Sequence, residues 1–137
     1  MNKKVILAIG IFICVVLIGS GVFYFSYIVP ANEVLNEVRN AEIKDIDLNR
    51  VADGKYLGEF SYSKSHCKVE VTVDNHRIDD IRILENGEND HAKKAEAVVS
   101  RVLDEQKVNV DAIAGATTTS KALLKAVESA LDSGIGK

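Results

Sequence analysis

The segment Asp111–Ser120 holds the residues whose types and spacing best suit chemistry, because four hydroxyl side chains follow a glycine and an alanine. It reads Asp-Ala-Ile-Ala-Gly-Ala-Thr-Thr-Thr-Ser. Gly115 can adopt a positive φ, and it lets a ligand approach the backbone closely. If a helix starts at the threonines, its first turn offers unpaired N–H groups and a positive dipole end, which stabilise a phosphate. A hydroxyl at that position is also open to esterification.

The same hydroxyls suit a purely structural role as well. Threonine and serine are common N-cap residues, and spacing alone favours capping over phosphate binding for this segment. The rest of the chain shows no nucleophile–base pair, no metal-ligand cluster and no second cofactor motif. The pattern therefore does not predict a stand-alone enzyme, catalytic residues or a metal site.

Helices are predicted on both sides of this segment. Apolar residues repeat at helical spacing over His91–Gln106, and they do so again from Leu123 to Leu131, with Gly134 as a plausible stop. Val108 and Val110 predict a brief strand between the helices. The segment from Ala112 to Thr118 is then a loop of small residues that leads into the last helix.

A three-stranded antiparallel meander is predicted before these helices. Alternating patterns cover Gly54–Tyr62, Cys67–Asp74 and Ile78–Glu85, and turn residues separate them. One face of the sheet would bury itself against both helices, which gives an α+β fold. Tyr56, Phe60 and Tyr62 lie on the same strand face, where aromatic residues more often belong to the core. Tyr56 is also a candidate to stack on a planar ligand, because Gly58 leaves room beside it.

Two separated motifs resemble the FMN-binding domain family, the domain found in subunits of sodium-pumping quinone reductases and related electron-transfer complexes. The family's flavinylation motif is matched by Asp111, Gly115, Ala116, Thr117 and Thr119. Asp53–Glu59 and Val69–Asn75 resemble the opening of such domains, and the likeness covers roughly residues 45–133. One departure is Ala114, which stands where the family usually has serine or threonine; it bears on covalent attachment more than on flavin binding.

The resemblance implies FMN held covalently by a phosphoester to Thr119. A magnesium-dependent flavin transferase would make this bond from FAD. The cofactor-binding residues would be Thr119, Thr117, Thr118, Gly115, Ala116, Asp111, Ser120 and Tyr56. The implied function is a redox carrier that exchanges electrons with a membrane partner, such as a quinone-linked dehydrogenase or another flavoprotein. The alternative is a module that binds FMN non-covalently, or that serves sensing or assembly.

An uncharged run of 25 residues, Val5–Val29, predicts a transmembrane helix. As a helix it spans roughly 37 Å, enough to cross a bilayer core of about 30 Å and to contact membrane lipid. Lys3 and Lys4 place residues 1–4 in the cytoplasm by the positive-inside rule. Residues 30–49 are then a juxtamembrane stalk, and residues 50–137 an extracytoplasmic domain. A cleaved signal peptide is the less favoured alternative, since its apolar core is usually shorter.

Net charge bears on the possible binding partners, and the cysteine positions bear on disulfide formation. The chain carries a formal net charge of −3, and without Lys3 and Lys4 the remainder has 15 basic and 20 acidic residues, a net charge of −5. A nucleic-acid partner is not expected, because phosphate binding needs a basic surface. Cys14 lies in the predicted membrane span and Cys67 in the domain, so we expect no internal disulfide.

Overall fold

A computed structural model describes residues 2–136, without the side chains of residues 27, 30 and 31. The chain forms two compact units, of which the first ends at Val34 and the second begins at Leu35. These units are defined by compactness and not by a membrane. The predicted domain boundaries after residues 29 and 49 therefore stay predictions.

The first unit is helical. Helix α1 covers Lys3–Phe23, a π-helical turn covers Tyr24–Ile28, and helix α2 covers Val29–Asn40, the last part of which belongs to the second unit. The segment Lys3–Ser26 is long and apolar enough to cross a membrane, and none of its most apolar window is buried. A signal sequence would pass the same test, so the apolar helix is confirmed, while its crossing of a membrane and the side on which the rest of the chain lies stay predictions.

The second unit contains the predicted antiparallel sheet in the order β1-β2-β3. Strand β1 covers Gly54–Tyr62, β2 covers Ser65–Asp74, and β3 covers Arg77–Glu85. Alternate residues of β2 are buried, as the period-two pattern predicts; they are Cys67, Val69, Val71 and Val73. Burial raises the pKa of the Cys67 thiol to about 11, so this thiol stays protonated and unreactive near neutral pH.

Helices cover one face of the sheet. Helix α3 covers Asp90–Ala95, α4 covers Ala97–Glu105, and α5 covers Thr117–Asp132. Helix α5 packs on β1 and β2, and α4 packs on β3. The apolar side of α5 is completely enclosed, with Leu123, Leu124 and Leu131 at 0% exposure. The predicted α+β fold is confirmed.

Two local predictions are wrong. The region predicted as one helix, His91–Gln106, divides at Glu96, where the amides of Glu96 and Val99 bond three residues back instead of four. The brief strand at Val108 and Val110 does not form. The amides of Val108 and Asn109 instead both donate to Oδ1 of Asp45, at 3.0 Å each, so a carboxylate replaces a neighbouring strand as their acceptor.

Candidate functional site

A cavity of about 570 Å³ lies at the N-terminal end of α5. Its size falls within the roughly 300–1,000 Å³ typical of small-molecule sites. Backbone and side chains of Gly115–Thr119 form one wall. The remaining lining comes from α2, the β1–β2 hairpin and the start of α3; these residues are Leu35, Arg39, Tyr62, Ser65, Asn89 and His91. The second unit thus brings residues distant in sequence around the threonines.

The start of α5 is open toward this cavity. Ala116 is the N-cap residue, and no side chain of the described residues caps the helix. Thr117, Thr118 and Thr119 form the first turn, whose amides have no acceptor within a helix. The amide of Ser120 is the first to bond back along the helix, at 2.9 Å from Ala116 O. The interpretation of these hydroxyls as helix caps is therefore wrong.

Gly115 turns the loop just before the helix. Its φ is +78°, in the region where residues with a Cβ are strained. A Cβ built on Gly115 would lie 3.0 Å from Nζ of Lys94. Nδ1 of His91 donates to the carbonyl oxygen of Gly115 at 2.9 Å. The turn is thus fixed from the side of α3, with a lysine ammonium group close to the glycine.

Ser120 and Asp111 support the loop from outside the cavity lining. Ser120 is completely buried, and its Oγ accepts a hydrogen bond from the amide of Ile113 at 3.1 Å. The side chain of Asp111 is exposed, while its carbonyl oxygen accepts from Nη1 of Arg101 at 2.8 Å. Both residues were predicted as cofactor contacts. Their positions indicate that they set the shape of the loop.

Thr119 contacts a tyrosine that also lines the cavity. Its Oγ1 lies 3.3 Å from the hydroxyl of Tyr62, the last residue of β1. Tyr62 is 9% exposed, and its ring stacks on Phe60 with centroids 6.3 Å apart. Helix α5 and strand β1 therefore meet at two hydroxyl groups beside the open helix end.

The argument that makes Tyr56 a candidate for stacking on a ligand is wrong. The space beside Gly58 is filled, because a Cβ there would overlap the carbonyl oxygen of Ala126 and lie 2.6 Å from the amide of Ala130. Gly58 lets α5 pack closely on β1. Tyr56 itself donates from its hydroxyl to Ala52 O at 2.6 Å, and it does not line the cavity described above.

Sequence reasoning missed the basic side chains around the threonines. Arg39 and His91 line the cavity, Lys94 lies beside Gly115, and none of the described lining residues is acidic. One signal was available in the sequence. Asn89 precedes a helix and caps it by accepting from the amide of Ala92 at 2.9 Å, which places His91 in its first turn. The site therefore favours an anionic ligand.

A protein-family model matches the part of the chain that contains the loop and the threonines. The model described as the FMN-binding domain matches residues 63–132, just over half of the chain. The chain belongs to the FMN-binding domain family. The match includes the loop, the threonines, His91 and Lys94, and it begins one residue after Tyr62. The motif at Asp53–Glu59 lies outside it.

A curated relative of this FMN-binding domain is the NADH:acrylate oxidoreductase of Vibrio harveyi. The two sequences are 31% identical over 107 residues, which cover 74% of this chain. The same residues cover 10% of the relative, so this chain spans about a tenth of its length. Family membership and this likeness fit a role in flavin-dependent electron transfer.

The residues present fit FMN. An anionic phosphate suits the uncapped amides of Thr117–Thr119, where the helix dipole is positive. Gly115 has no side chain to block that approach, and Lys94 and Arg39 supply full positive charges nearby. The cavity volume leaves space for the rest of a ligand of this class. Bound there, FMN would supply the redox chemistry, and the protein would supply position and charge.

Proposed function

We propose that this FMN-binding domain is a membrane-anchored electron carrier that holds FMN through a phosphoester on Thr119. The observation that carries the proposal is the position of Thr119. Its hydroxyl is at a cavity wall, on the first turn of an uncapped helix, where the phosphate of a flavin nucleotide is stabilised.

Three threonines line the cavity, and the family register distinguishes between them. Counting from Asp111 through Gly115 and Ala116 places the acceptor at Thr119. Helix geometry agrees with one acceptor, because successive side chains are about 100° apart and cannot all face one phosphate. In this proposal Thr117 and Thr118 contribute their amides to the phosphate, and Thr119 contributes its hydroxyl oxygen.

Covalent attachment suits a carrier outside the cytoplasm, where a freely dissociating cofactor would be lost by dilution. Lys3 and Lys4 favour an N-terminus on the cytoplasmic side, which would place the FMN-binding domain on the other side. A flavin transferase would attach FMN from FAD with magnesium. A quinone-linked dehydrogenase or another membrane flavoprotein would exchange electrons with it. The oxidoreductase name of the relative supports the redox role but not an independent enzyme activity.

The test is flavin attachment after co-expression with a flavin transferase. We expect a band that stays fluorescent on a denaturing gel, and we expect peptide mapping to place FMN on Thr119. Thr119→Ala should abolish the covalent flavin, because the ester oxygen is gone. Thr118→Ala is the matched control and should largely retain it. Ser120→Ala is a poorer control, because it leaves the amide of Ile113 without its acceptor.

Two outcomes would contradict the proposal. FMN mapped to Thr118, or undiminished attachment in Thr119→Ala, would show that the register is wrong. A yellow protein that loses all flavin on denaturation would favour the alternative, a module that binds FMN non-covalently or acts in sensing or assembly.

A further inference from the structure

We infer that Tyr62 is a positioning residue for covalent flavin attachment: its hydroxyl holds Oγ1 of Thr119 in the orientation that accepts the phosphoryl group. The inference rests on the proposed function, since it concerns how the acceptor oxygen is presented. It assigns a role to a side chain that lies outside the matched family region.

The first argument is the contact itself. Tyr62 and Thr119 are 57 residues apart, yet the structure brings their oxygens within 3.3 Å. A buried tyrosine hydroxyl usually has a hydrogen-bond partner, and the partner of Tyr62 is the proposed acceptor. Tyrosine is also a rigid group with two side-chain torsions, and here Phe60 stacks on its ring. The contact therefore comes from a fixed point of the sheet.

The second argument concerns the rotamers of Thr119. In a helix, the side chain of threonine divides between two χ1 rotamers, because Oγ1 can bond to the carbonyl three or four residues back. A hydrogen bond to Tyr62 favours the rotamer that points Oγ1 toward the end of strand β1. Among the described residues, the hydroxyls of Thr117 and Thr118 have no such side-chain partner. Tyr62 thus singles out one of three neighbouring hydroxyls.

The attachment step shows when this contact matters. Oγ1 of Thr119 attacks the phosphorus on the FMN side of FAD, so an Oγ1–P bond forms while the P–O bond of the diphosphate breaks. AMP leaves, the hydroxyl proton passes to a base of the transferase, and nothing is oxidised or reduced. In the ester Oγ1 has no proton, so Tyr62 must then be the donor of the hydrogen bond. Tyr62 can therefore contact this oxygen both before and after transfer.

The experiment measures initial rates of flavin attachment to the purified full chain with a flavin transferase, FAD and Mg²⁺. Tyr62→Phe keeps the ring and removes the hydroxyl. We expect the rate at saturating acceptor chain to fall about fivefold, the effect of one hydrogen bond, while KM and the melting temperature stay close to wild type. Tyr56→Phe is the matched control: it loses a buried hydroxyl bond from the same strand, away from the cavity, and should leave the rate unchanged.

A double-mutant cycle separates positioning from a merely structural role. Thr119→Ser keeps the hydroxyl but lacks the methyl group that restricts the χ1 torsion of residue 119. The rate of flavin attachment to this variant should therefore depend more strongly on the hydrogen bond from Tyr62. We expect Tyr62→Phe to lower the rate of flavin attachment by a factor about twofold larger in the Thr119→Ser background than in wild type. A purely structural effect would be the same in both.

Equal saturating rates for wild type and Tyr62→Phe would overturn the inference and leave the proposed function intact, provided FMN maps to Thr119. A rate loss matched by Tyr56→Phe, or explained by a lower melting temperature, would also overturn it. If wild type acquires no flavin on Thr119, the proposed function fails and the inference fails with it.

Discussion

At the scale of single residues, the site is defined by which groups are absent as much as by which are present. Ala116 cannot cap the helix, and Gly115 cannot block the approach to its amides. Positive charge is supplied nearby by Lys94 and Arg39. These residues leave the N-terminus of α5 uncapped and accessible, so that its positive partial charge can stabilise a phosphate.

Gly115 provides the prediction at this scale. Gly115→Val forces a β-branched residue to a φ of +78° and pushes a side chain toward Lys94. We expect the initial rate of flavin incorporation to fall about tenfold, while the FMN-binding domain stays folded. In-gel flavin fluorescence, normalised to protein, measures this effect.

Gly136→Val is the matched control, because Gly136 has a φ of +75° and no atom within 4 Å of a Cβ built there. This variant tests the effect of placing valine at a positive φ in a position that does not line the cavity. Full incorporation into Gly115→Val would show that the loop does not surround the phosphate.

At the scale of elements, the site depends on how α5 is held against β1. Gly58 allows the close approach of Ala126 and Ala130, and this contact aligns the start of the helix with the end of the strand. Asp45 holds the connection before α5, because its carboxylate accepts hydrogen bonds from the backbone amides of Val108 and Asn109. The loop is thus fixed at both ends by contacts remote in sequence.

Asp45→Ala is the prediction at this scale. Removing the carboxylate leaves two amides without their acceptor, and the amide of Val108 is partly buried. We expect the free energy of unfolding to fall by about 2 kcal/mol, measured by urea denaturation of the full chain in detergent micelles.

Asp45→Asn retains an oxygen acceptor, so its free energy of unfolding should fall by about half as much as that of Asp45→Ala. Asp79→Ala removes the same charge from an exposed position on β3 and should change little. A loss in Asp79→Ala as large as that in Asp45→Ala would attribute the effect to net charge and not to the two hydrogen bonds.

At the scale of the whole molecule, charge and hydropathy are segregated along the chain. The apolar segment Lys3–Ser26 can cross a membrane, and the sequence after it is acidic overall. The first two residues of this segment, Lys3 and Lys4, are lysines, and the uncharged run begins after them at Val5. This asymmetry is the basis for the proposed orientation of the FMN-binding domain.

We predict that protease added to intact cells degrades the FMN-binding domain, because the proposed orientation places the domain outside the cytoplasm. Immunoblotting against the C-terminal part measures the loss, and a cytoplasmic protein of the same cells serves as the control. Protection of the whole chain until the cells are lysed would reverse the orientation and remove the reason for covalent attachment.

The sequence by itself predicted the features that follow from local periodicity and composition. The bounds of β1, the buried face of β2, the apolar N-terminal helix and the loop-to-helix transition at the threonines are all local patterns. Family resemblance added the FMN assignment, and the family model supports it. Acceptor register and covalent attachment remain predictions from that resemblance.

Only the tertiary structure decided which distant residues surround the threonines. Both Tyr56 and Tyr62 alternate inward on β1, so periodicity cannot separate them; the packing of α5 at Gly58 places Tyr62 beside Thr119. Val108 and Val110 look like a strand because they are β-branched and alternate along the chain, yet the Asp45 carboxylate accepts hydrogen bonds from the amides of Val108 and Asn109. Such contacts depend on the docking of elements, which no local pattern encodes.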